Sequence, residues 1–208
     1  MKCEISDCAT NASFNFAHIE SRRVVAETHL CDAHAQAFFA QFRATISVGD
    51  GTRYTTPGGV CVDLEGIAYN NCGDPPGCVY VHEVGGKRRF PMIVDGWAWW
   101  ALMAHIKQQA APYPRTHAAW AATIEALGGE VKDVFVDRTG DQDWWLGRLR
   151  IVKDGHIKTI SVRACDAYTL AVICGVPIFV AEKALERYAD TGDAEGGTLG
   201  RFTEDRGS

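Results

Sequence analysis

Four side chains near the N-terminus restrict how the first part of this chain can fold. Cys3 and Cys8 form one pair, and Cys31 and His34 form a second pair after a gap of 22 residues. Three thiolates and one imidazole suit tetrahedral structural zinc, and four protein ligands leave no open position for a reacting water. The spacing therefore predicts a zinc ion held by all four side chains, with a structural rather than a catalytic role.

The sequence between the two ligand pairs has the pattern of a β-hairpin followed by a helix. Residues 13–19 alternate apolar and polar side chains, residues 21–23 can turn the chain, and residues 24–30 return as a second strand. A helix is predicted to begin at Asp32. We therefore predict that residues 1–45 form a treble-clef-like zinc module. Because so small a unit has little core, the metal would supply much of its folding free energy.

The remaining sequence predicts a larger domain of the α+β class. Residues 46–58 are rich in Gly, Thr and Pro and are predicted to be a linker, and the glycine-rich, acidic residues 189–208 are predicted to be a disordered tail. Between them, residues 59–188 favour a mixed sheet with packed helices. Predicted strands lie near 60–69, 79–84, 89–94, 131–136, 143–152, 156–162 and 178–180. Predicted helices lie at 97–109, 118–127, 166–174 and 181–188. Thr116 is the predicted N-cap of the second of these helices.

Composition limits the compartment and the partners. The formal net charge is −5, but five acids and two arginines fall in residues 189–208, so the rest of the chain is closer to neutral and a nucleic-acid partner stays open. Neither a long apolar run nor the pattern of a secretory signal is present. We expect a soluble, cytoplasmic protein with no membrane partner, in which eight cysteines favour metal binding over disulfides. The basic cluster at 87–89 is predicted to be the solvated tip of a hairpin.

Two short motifs in the larger domain resemble those of a known family. The first is Pro-Arg-Thr-His at 114–117, and the second is Arg-Ala-Cys-Asp-Ala-Tyr-Thr-Leu-Ala at 163–171, followed by Pro-Ile-Phe-Val at 177–180. They are similar to the motifs RPxTHDL and DxRPSDAxxLA…PIFV of the bifunctional nuclease (BFN) domain family. The resemblance extends over roughly residues 79–185, and it implies the BFN fold and cleavage of phosphodiester bonds in DNA or RNA.

The resemblance also assigns roles to three side chains. His117 would act as general base or general acid, and Arg163 would bind a phosphate through two of its N–H groups. Asp166 would either orient His117 or bind a catalytic divalent cation such as Mg²⁺ or Mn²⁺. These three residues are therefore the predicted catalytic site.

Other features favour a regulatory adaptor without catalytic activity. The chain has Tyr113, Trp99, Ala118 and Ser161 where the family has an arginine, a glutamate and two aspartates, so several carboxylates are missing together. The segment Glu-Thr-His-Leu-Cys-Asp-Ala-His-Ala at 27–35 is similar to the N-terminal zinc segment of protein-arginine kinase activators, which implies a binding module. In this alternative, the BFN fold and the zinc module bind other proteins.

Three tryptophans within four residues, Trp97, Trp99 and Trp100, cannot all be buried in one core. We expect part of this cluster to be exposed, and together with Trp120 it could offer a surface on which nucleobases stack. An exposed tryptophan patch also indicates a protein–protein contact. The sequence therefore predicts a homo-oligomer or a protein partner as well.

Overall fold

The computed structural model describes residues 1–44, 55–56, 58–70, 77–139 and 144–188. Most of the predicted linker at 46–58 and the whole predicted acidic tail at 189–208 lie outside the described residues. Within them, no helix is both long enough and apolar enough to cross a membrane.

Ten strands and five helices form in the described part of the chain. The strands are β1 (Phe14–Glu20), β2 (Arg23–Leu30), β3 (Thr55–Thr56), β4 (Gly59–Asn70), β5 (Gly77–Glu83), β6 (Arg89–Val94), β7 (Glu130–Thr139), β8 (Trp144–Lys153), β9 (His156–Arg163) and β10 (Ile178–Ala181). The helices are α1 (Asp32–Ala44), α2 (Gly96–Ile106), α3 (Thr116–Ala126), α4 (Ala164–Cys174) and α5 (Glu182–Tyr188).

The strands form one mixed sheet, in the order β2-β1-β4-β10-β7-β8-β9, with β3 and the β5–β6 hairpin joined through β4. Strands β10 and β7 are parallel, and the other pairs are antiparallel. Together with the packed helices, this arrangement confirms the predicted α+β class with a mixed sheet.

The N-terminal hairpin is part of this sheet. Strand β1 pairs with β4 from Phe14 opposite Asn70 to His18 opposite Gly66. In addition, the turn residue Arg22 donates hydrogen bonds to the carbonyls of Ala171 and Val176 at the end of α4. Residues on both sides of the predicted linker at 46–58 therefore belong to one hydrogen-bonded sheet. The division of the chain into two domains stays a prediction.

Helix α4 lies at the centre of the core. Its residues from Ala167 to Val172 are all buried, and the helix packs against α2, α3, β7 and β8. It ends at Gly175, whose φ of 70° places it in the left-handed conformation that glycine adopts without strain. A buried helix of this kind fixes the position of whatever side chains its first turn carries.

Two predictions in this region are corrected. Thr116 is not an N-cap but the first residue of α3, and Arg115 occupies the cap position without a side-chain hydrogen bond. The 87–89 cluster is not simply a solvated tip either. Arg88 is bound by Glu83 and Glu182, and Arg89 is buried against Glu65 at 2.5 Å. Ion pairs with carboxylates of other segments therefore hold these two side chains against the protein, although the cluster lies close to a turn.

Gly147 allows α4 to pack closely against β8. A Cβ atom at this position would lie 2.5 Å from the Cβ of Ala167 and 2.9 Å from the carbonyl oxygen of Arg163. We expect Gly147→Ala to lower the free energy of unfolding by about 1–3 kcal/mol, because backbone and helix must move apart. Urea denaturation followed by circular dichroism measures the change. Gly96→Ala is the control, because nothing lies within 4 Å of its added Cβ. Equal stability of the two variants would contradict the close-packing argument.

Candidate functional site

The four predicted zinc ligands lie together. One potential ligand atom from each of Cys3, Cys8, Cys31 and His34 lies within 4.8 Å of the others. The Sγ atoms of Cys8 and Cys31 are 3.9 Å apart, and Nδ1 of His34 lies 3.3 Å from Sγ of Cys3 and 3.4 Å from Sγ of Cys31. The cluster could hold one metal ion.

These separations fit a tetrahedral site. Zn–S bonds of about 2.3 Å and Zn–N bonds of about 2.0–2.1 Å imply S···S edges of about 3.8 Å and S···N edges of about 3.5 Å. The observed distances lie close to both values. Backbone hydrogen bonding at Thr10 is the main cause that lowers the pKa of the Cys8 thiol, which favours the thiolate that binds metal.

Local structure brings the two ligand pairs together. Residues between Cys3 and Cys8 form a tight turn, in which Asp7 has a φ of 65°. Cys31 follows β2 directly, and His34 lies in the first turn of α1. The elements thus occur in the predicted order of turn, hairpin and helix, whereas the treble-clef assignment stays a prediction.

A second cluster contains the three predicted catalytic residues. His117 Nε2 lies 3.0 Å from Asp166 Oδ1, and Arg163 donates to Asp166 through Nε at 2.7 Å and Nη2 at 2.8 Å. Arg163 also donates through Nη1 to Asp95. The four side chains form one hydrogen-bonded chain that connects the N-terminal ends of α2, α3 and α4.

Burial divides this cluster into an inner and an outer part. His117 is only 4% exposed, whereas the side chain of Arg163 is 59% exposed and that of Asp95 is 46% exposed. Burial by itself would raise the pKa of Asp166, but the hydrogen bonds from His117 and Arg163, with the charge of Arg163, lower it below its usual range. Asp166 is therefore a carboxylate at neutral pH and accepts hydrogen bonds from both His117 and Arg163.

Four atoms in the cluster keep unused hydrogen-bonding capacity. A guanidinium group has five N–H donors, and Arg163 uses three of them within the cluster, one each on Nε, Nη1 and Nη2. Nδ1 of His117 and Oδ1 of Asp95 are buried and have no hydrogen-bond partner among the described residues. A buried polar atom without a partner is costly, so each of these two buried atoms is a candidate position for contact with a water or a ligand.

Sequence reasoning missed Asp95. An aspartate directly before a helix is typical of an N-cap, and Asp95 does occupy the cap position of α2, but its side chain makes no cap hydrogen bond. It binds Arg163 instead, 68 residues away in sequence. Short motifs could not indicate this contact, because it depends on the packing of α2 against α4.

The tryptophan cluster is partly exposed, as expected. Trp99 is buried against Gly77, whereas Trp97 is 82% exposed and Trp100 is 59% exposed. A cleft of about 380 Å³ lies along the same helix, between α2 and the segment that precedes α3. Its lining includes Ala101, Ala104, Tyr113, Arg115 and Ala118.

The comparison with protein families agrees with this architecture. The family model described as bifunctional nuclease domain matches residues 79–191, more than half of the chain. The chain belongs to the bifunctional nuclease domain family. Asp95, His117, Arg163 and Asp166 all lie within the matched residues. No curated protein matches the chain.

We expect loss of one ligand to abolish metal binding. Cys31→Ser removes a thiolate from the cluster, so bound zinc should fall from about one per chain to near zero, and the Tm should drop because metal binding is coupled to folding. Elemental analysis and thermal unfolding measure both. Cys174→Ser, which changes a half-buried cysteine at the end of α4, should retain the metal. Absence of zinc from protein refolded with it would contradict the assignment.

The Asp166 carboxylate should contribute to stability in a pH-dependent way. Because its folded-state pKa is lowered, its contribution is present above the ordinary aspartate pKa and is lost as pH falls through the folded value. We expect Asp166→Asn to lower the free energy of unfolding by about 2 kcal/mol at pH 7 and by less at an acidic pH below the ordinary aspartate pKa. Urea denaturation at both pH values tests this. Asp154→Asn, in the exposed β8–β9 turn, should have little effect at either pH, and a constant difference for Asp166→Asn would contradict the linkage.

Proposed function

We propose that this protein is a nuclease that hydrolyses phosphodiester bonds of DNA or RNA at the cluster of Asp95, His117, Arg163 and Asp166. One observation carries the proposal: residues far apart in sequence meet in one hydrogen-bonded chain that is buried at one end and open to solvent at the other. Membership of the bifunctional nuclease domain family supports the type of substrate.

Arg163 is the group we assign to the phosphate. Its two unused N–H donors are on Nη1 and Nη2, the two terminal nitrogens of an exposed guanidinium group. Paired N–H donors of this kind can bind two oxygens of one phosphate and stabilise the negative charge that develops there during cleavage. Asp166 and Asp95 hold the guanidinium from two sides, so it is already oriented when substrate arrives.

His117 has two alternative roles in this proposal. Since Asp166 is a carboxylate, Nε2 carries the proton of their hydrogen bond, and in neutral His117 the lone pair is on Nδ1. A general base must meet the water or hydroxyl that it deprotonates, and Nδ1 is enclosed. The geometry therefore favours His117 as a positioning residue that holds Asp166, and the substitutions below separate this role from that of a base.

The donor set fits a catalytic Mg²⁺ or Mn²⁺ poorly. Both oxygens of Asp166 are used by Arg163 and His117, which leaves Oδ1 of Asp95 as the free carboxylate oxygen among the described atoms of the cluster. Divalent cations in nuclease sites are usually held by more than one carboxylate or by substrate oxygens. The proposed mechanism therefore does not depend on such an ion.

The Cys3, Cys8, Cys31 and His34 cluster is proposed to hold structural zinc. Four protein ligands at tetrahedral separations support this role, and they leave no ligand position for substrate. The zinc-binding segment would then stabilise the β1–β2 hairpin and offer a surface for substrate or partner binding.

The second candidate function is a catalytically inactive adaptor. It is favoured by Ala118 and Ser161, which stand where the family motifs have carboxylates, and by the exposed Trp97 and Trp100. In this case, the hydrogen bonds among Asp95, His117, Arg163 and Asp166 would only stabilise the packing of α2, α3 and α4. The protein would bind partners through the tryptophan surface and the zinc-binding segment.

Cleavage assays with matched variants distinguish the two functions and the two roles of His117. Labelled single- and double-stranded DNA and RNA are incubated with purified protein, with and without Mg²⁺ or Mn²⁺. We expect Arg163→Lys to reduce kcat/KM at least tenfold, because an ammonium group cannot reproduce two parallel N–H donors. We expect His117→Ala to reduce activity and His117→Gln to restore part of it, because the glutamine amide can still donate to Asp166.

Each outcome has a defined meaning. Loss of activity in both His117 variants, with disappearance of the lower limb of the pH–rate profile, would make His117 the general base. Equal activity of wild type and Arg163→Lys would contradict the assigned site. No cleavage of any substrate by wild-type protein would overturn the nuclease proposal in favour of the adaptor.

A further inference from the structure

We propose that the exposed face of α2, formed by Trp97, Trp100 and the adjoining cleft, binds unpaired nucleobases of a strand whose phosphate lies at Arg163. This inference rests on the proposed function for its substrate class, and it adds a base-binding site to it. The predicted ligand is a single-stranded nucleic acid, because the faces of bases in a duplex are covered by the neighbouring bases and are not free to stack on a tryptophan.

The two exposed indoles share one side of the helix. Trp97 and Trp100 are three residues apart, and side chains at this spacing are neighbours on a helix surface. Both indoles are exposed, whereas Trp99 between them is buried in the core and anchors the helix there. Two large flat rings side by side in solvent match the stacking surfaces of proteins that bind single strands.

The cleft continues this face toward the end of the helix. Ala101 and Ala104 lie four residues after Trp97 and Trp100, so they follow them on the same side of α2. Both alanines line the cleft, with Ala118 from α3. Tyr113, which is 72% exposed, borders the cleft from the other side. The small alanine side chains on one side and the Tyr113 ring on the other leave room for a planar ligand.

The charge around the cleft suits a polyanion. None of the described lining residues is acidic, and Arg115 contributes a cation for which no ion pair is described. Partial burial lowers the pKa of His105, and the charge of Arg22 lowers it further, so His105 is neutral at pH 7. The described lining of the cleft offers a basic peptide no carboxylate, whereas a phosphate next to a stacked base would meet Arg115.

The tryptophan surface begins next to the candidate active site along the chain. Asp95, which holds Arg163, is the residue before α2, and Trp97 is in the first turn of that helix. In the proposed complex, the base that adjoins the phosphate at Arg163 stacks on Trp97. This proximity along the chain favours a nucleic-acid strand over a separate protein partner as the occupant.

The test is a comparison of equilibrium binding with and without bases. Fluorescence anisotropy measures the Kd of a labelled oligothymidylate and of an abasic oligonucleotide of equal length and charge, at 4 °C and without added divalent cations. Gel analysis verifies that the strands remain intact. We expect wild-type protein to bind the oligothymidylate more tightly, and Trp97→Ala with Trp100→Ala to remove this preference, with a loss of roughly tenfold or more in affinity.

Matched controls separate stacking from damage to the fold. Trp97→Phe with Trp100→Phe should retain most of the preference, because a phenyl ring also stacks. Leu127→Ala changes an exposed apolar side chain at the far end of α3 and should leave binding unchanged. Equal affinity of wild type for the two oligonucleotides would overturn the inference. Unchanged binding by the double alanine variant would also overturn it. The same holds if sedimentation shows that the wild-type protein is a dimer and the double alanine variant is a monomer, because the tryptophans would then form a protein–protein contact.

Binding and cleavage measurements together distinguish failure of the base-binding site from failure of the proposed nuclease function. Base-dependent binding without any cleavage would overturn the nuclease proposal and leave the base-binding site in place. Cleavage that persists in the double alanine variant with an unchanged Kd would overturn the base-binding site and leave the nuclease in place.

Discussion

Strand β4 is the constraint on which the rest of this structure depends. One edge of this twelve-residue strand pairs with β10 in its first part and with β1 in its last part, and the other edge pairs with β5. A single strand thus connects the metal-ligand segment, the central sheet and the β5–β6 hairpin. At Gly66 the backbone of β4 comes so close to Phe16 that a Cβ would lie 2.6 Å from its ring, so glycine is needed for this junction.

Helix α4 contacts both the candidate active site and the N-terminal hairpin. Its first turn carries Asp166, and the carbonyls of Ala171 in the helix and of Val176 just after it accept hydrogen bonds from Arg22 in the β1–β2 turn. Because the helix is buried along its length, movement at one end is resisted by the whole core. The position of Arg163 and the docking of the N-terminal hairpin are therefore properties of one packed element.

The sequence allowed the class of fold and three of the four residues in the candidate site to be predicted. Strand-like composition between turn signals indicated where most strands lie, and the two motifs singled out His117, Arg163 and Asp166. Asp95 could not be found, because its contact depends on how α2 meets α4. Arg88 and Arg89 were misjudged for a related reason: local charge predicts solvation, whereas partners such as Glu182 come from distant segments. Motif and periodicity report on local structure, and ion pairs between elements depend on tertiary packing.

The pairing of β1 with β4 has a consequence for the behaviour of the protein without metal. If the N-terminal segment detached, the part of β4 from Gly66 to Asn70 would lose its neighbour on one side, and its unpaired N–H and C=O groups would become an open sheet edge. Open edges of this kind recruit strands from other molecules, which leads to aggregation. The N-terminal segment thus shields the protein against association through its own sheet.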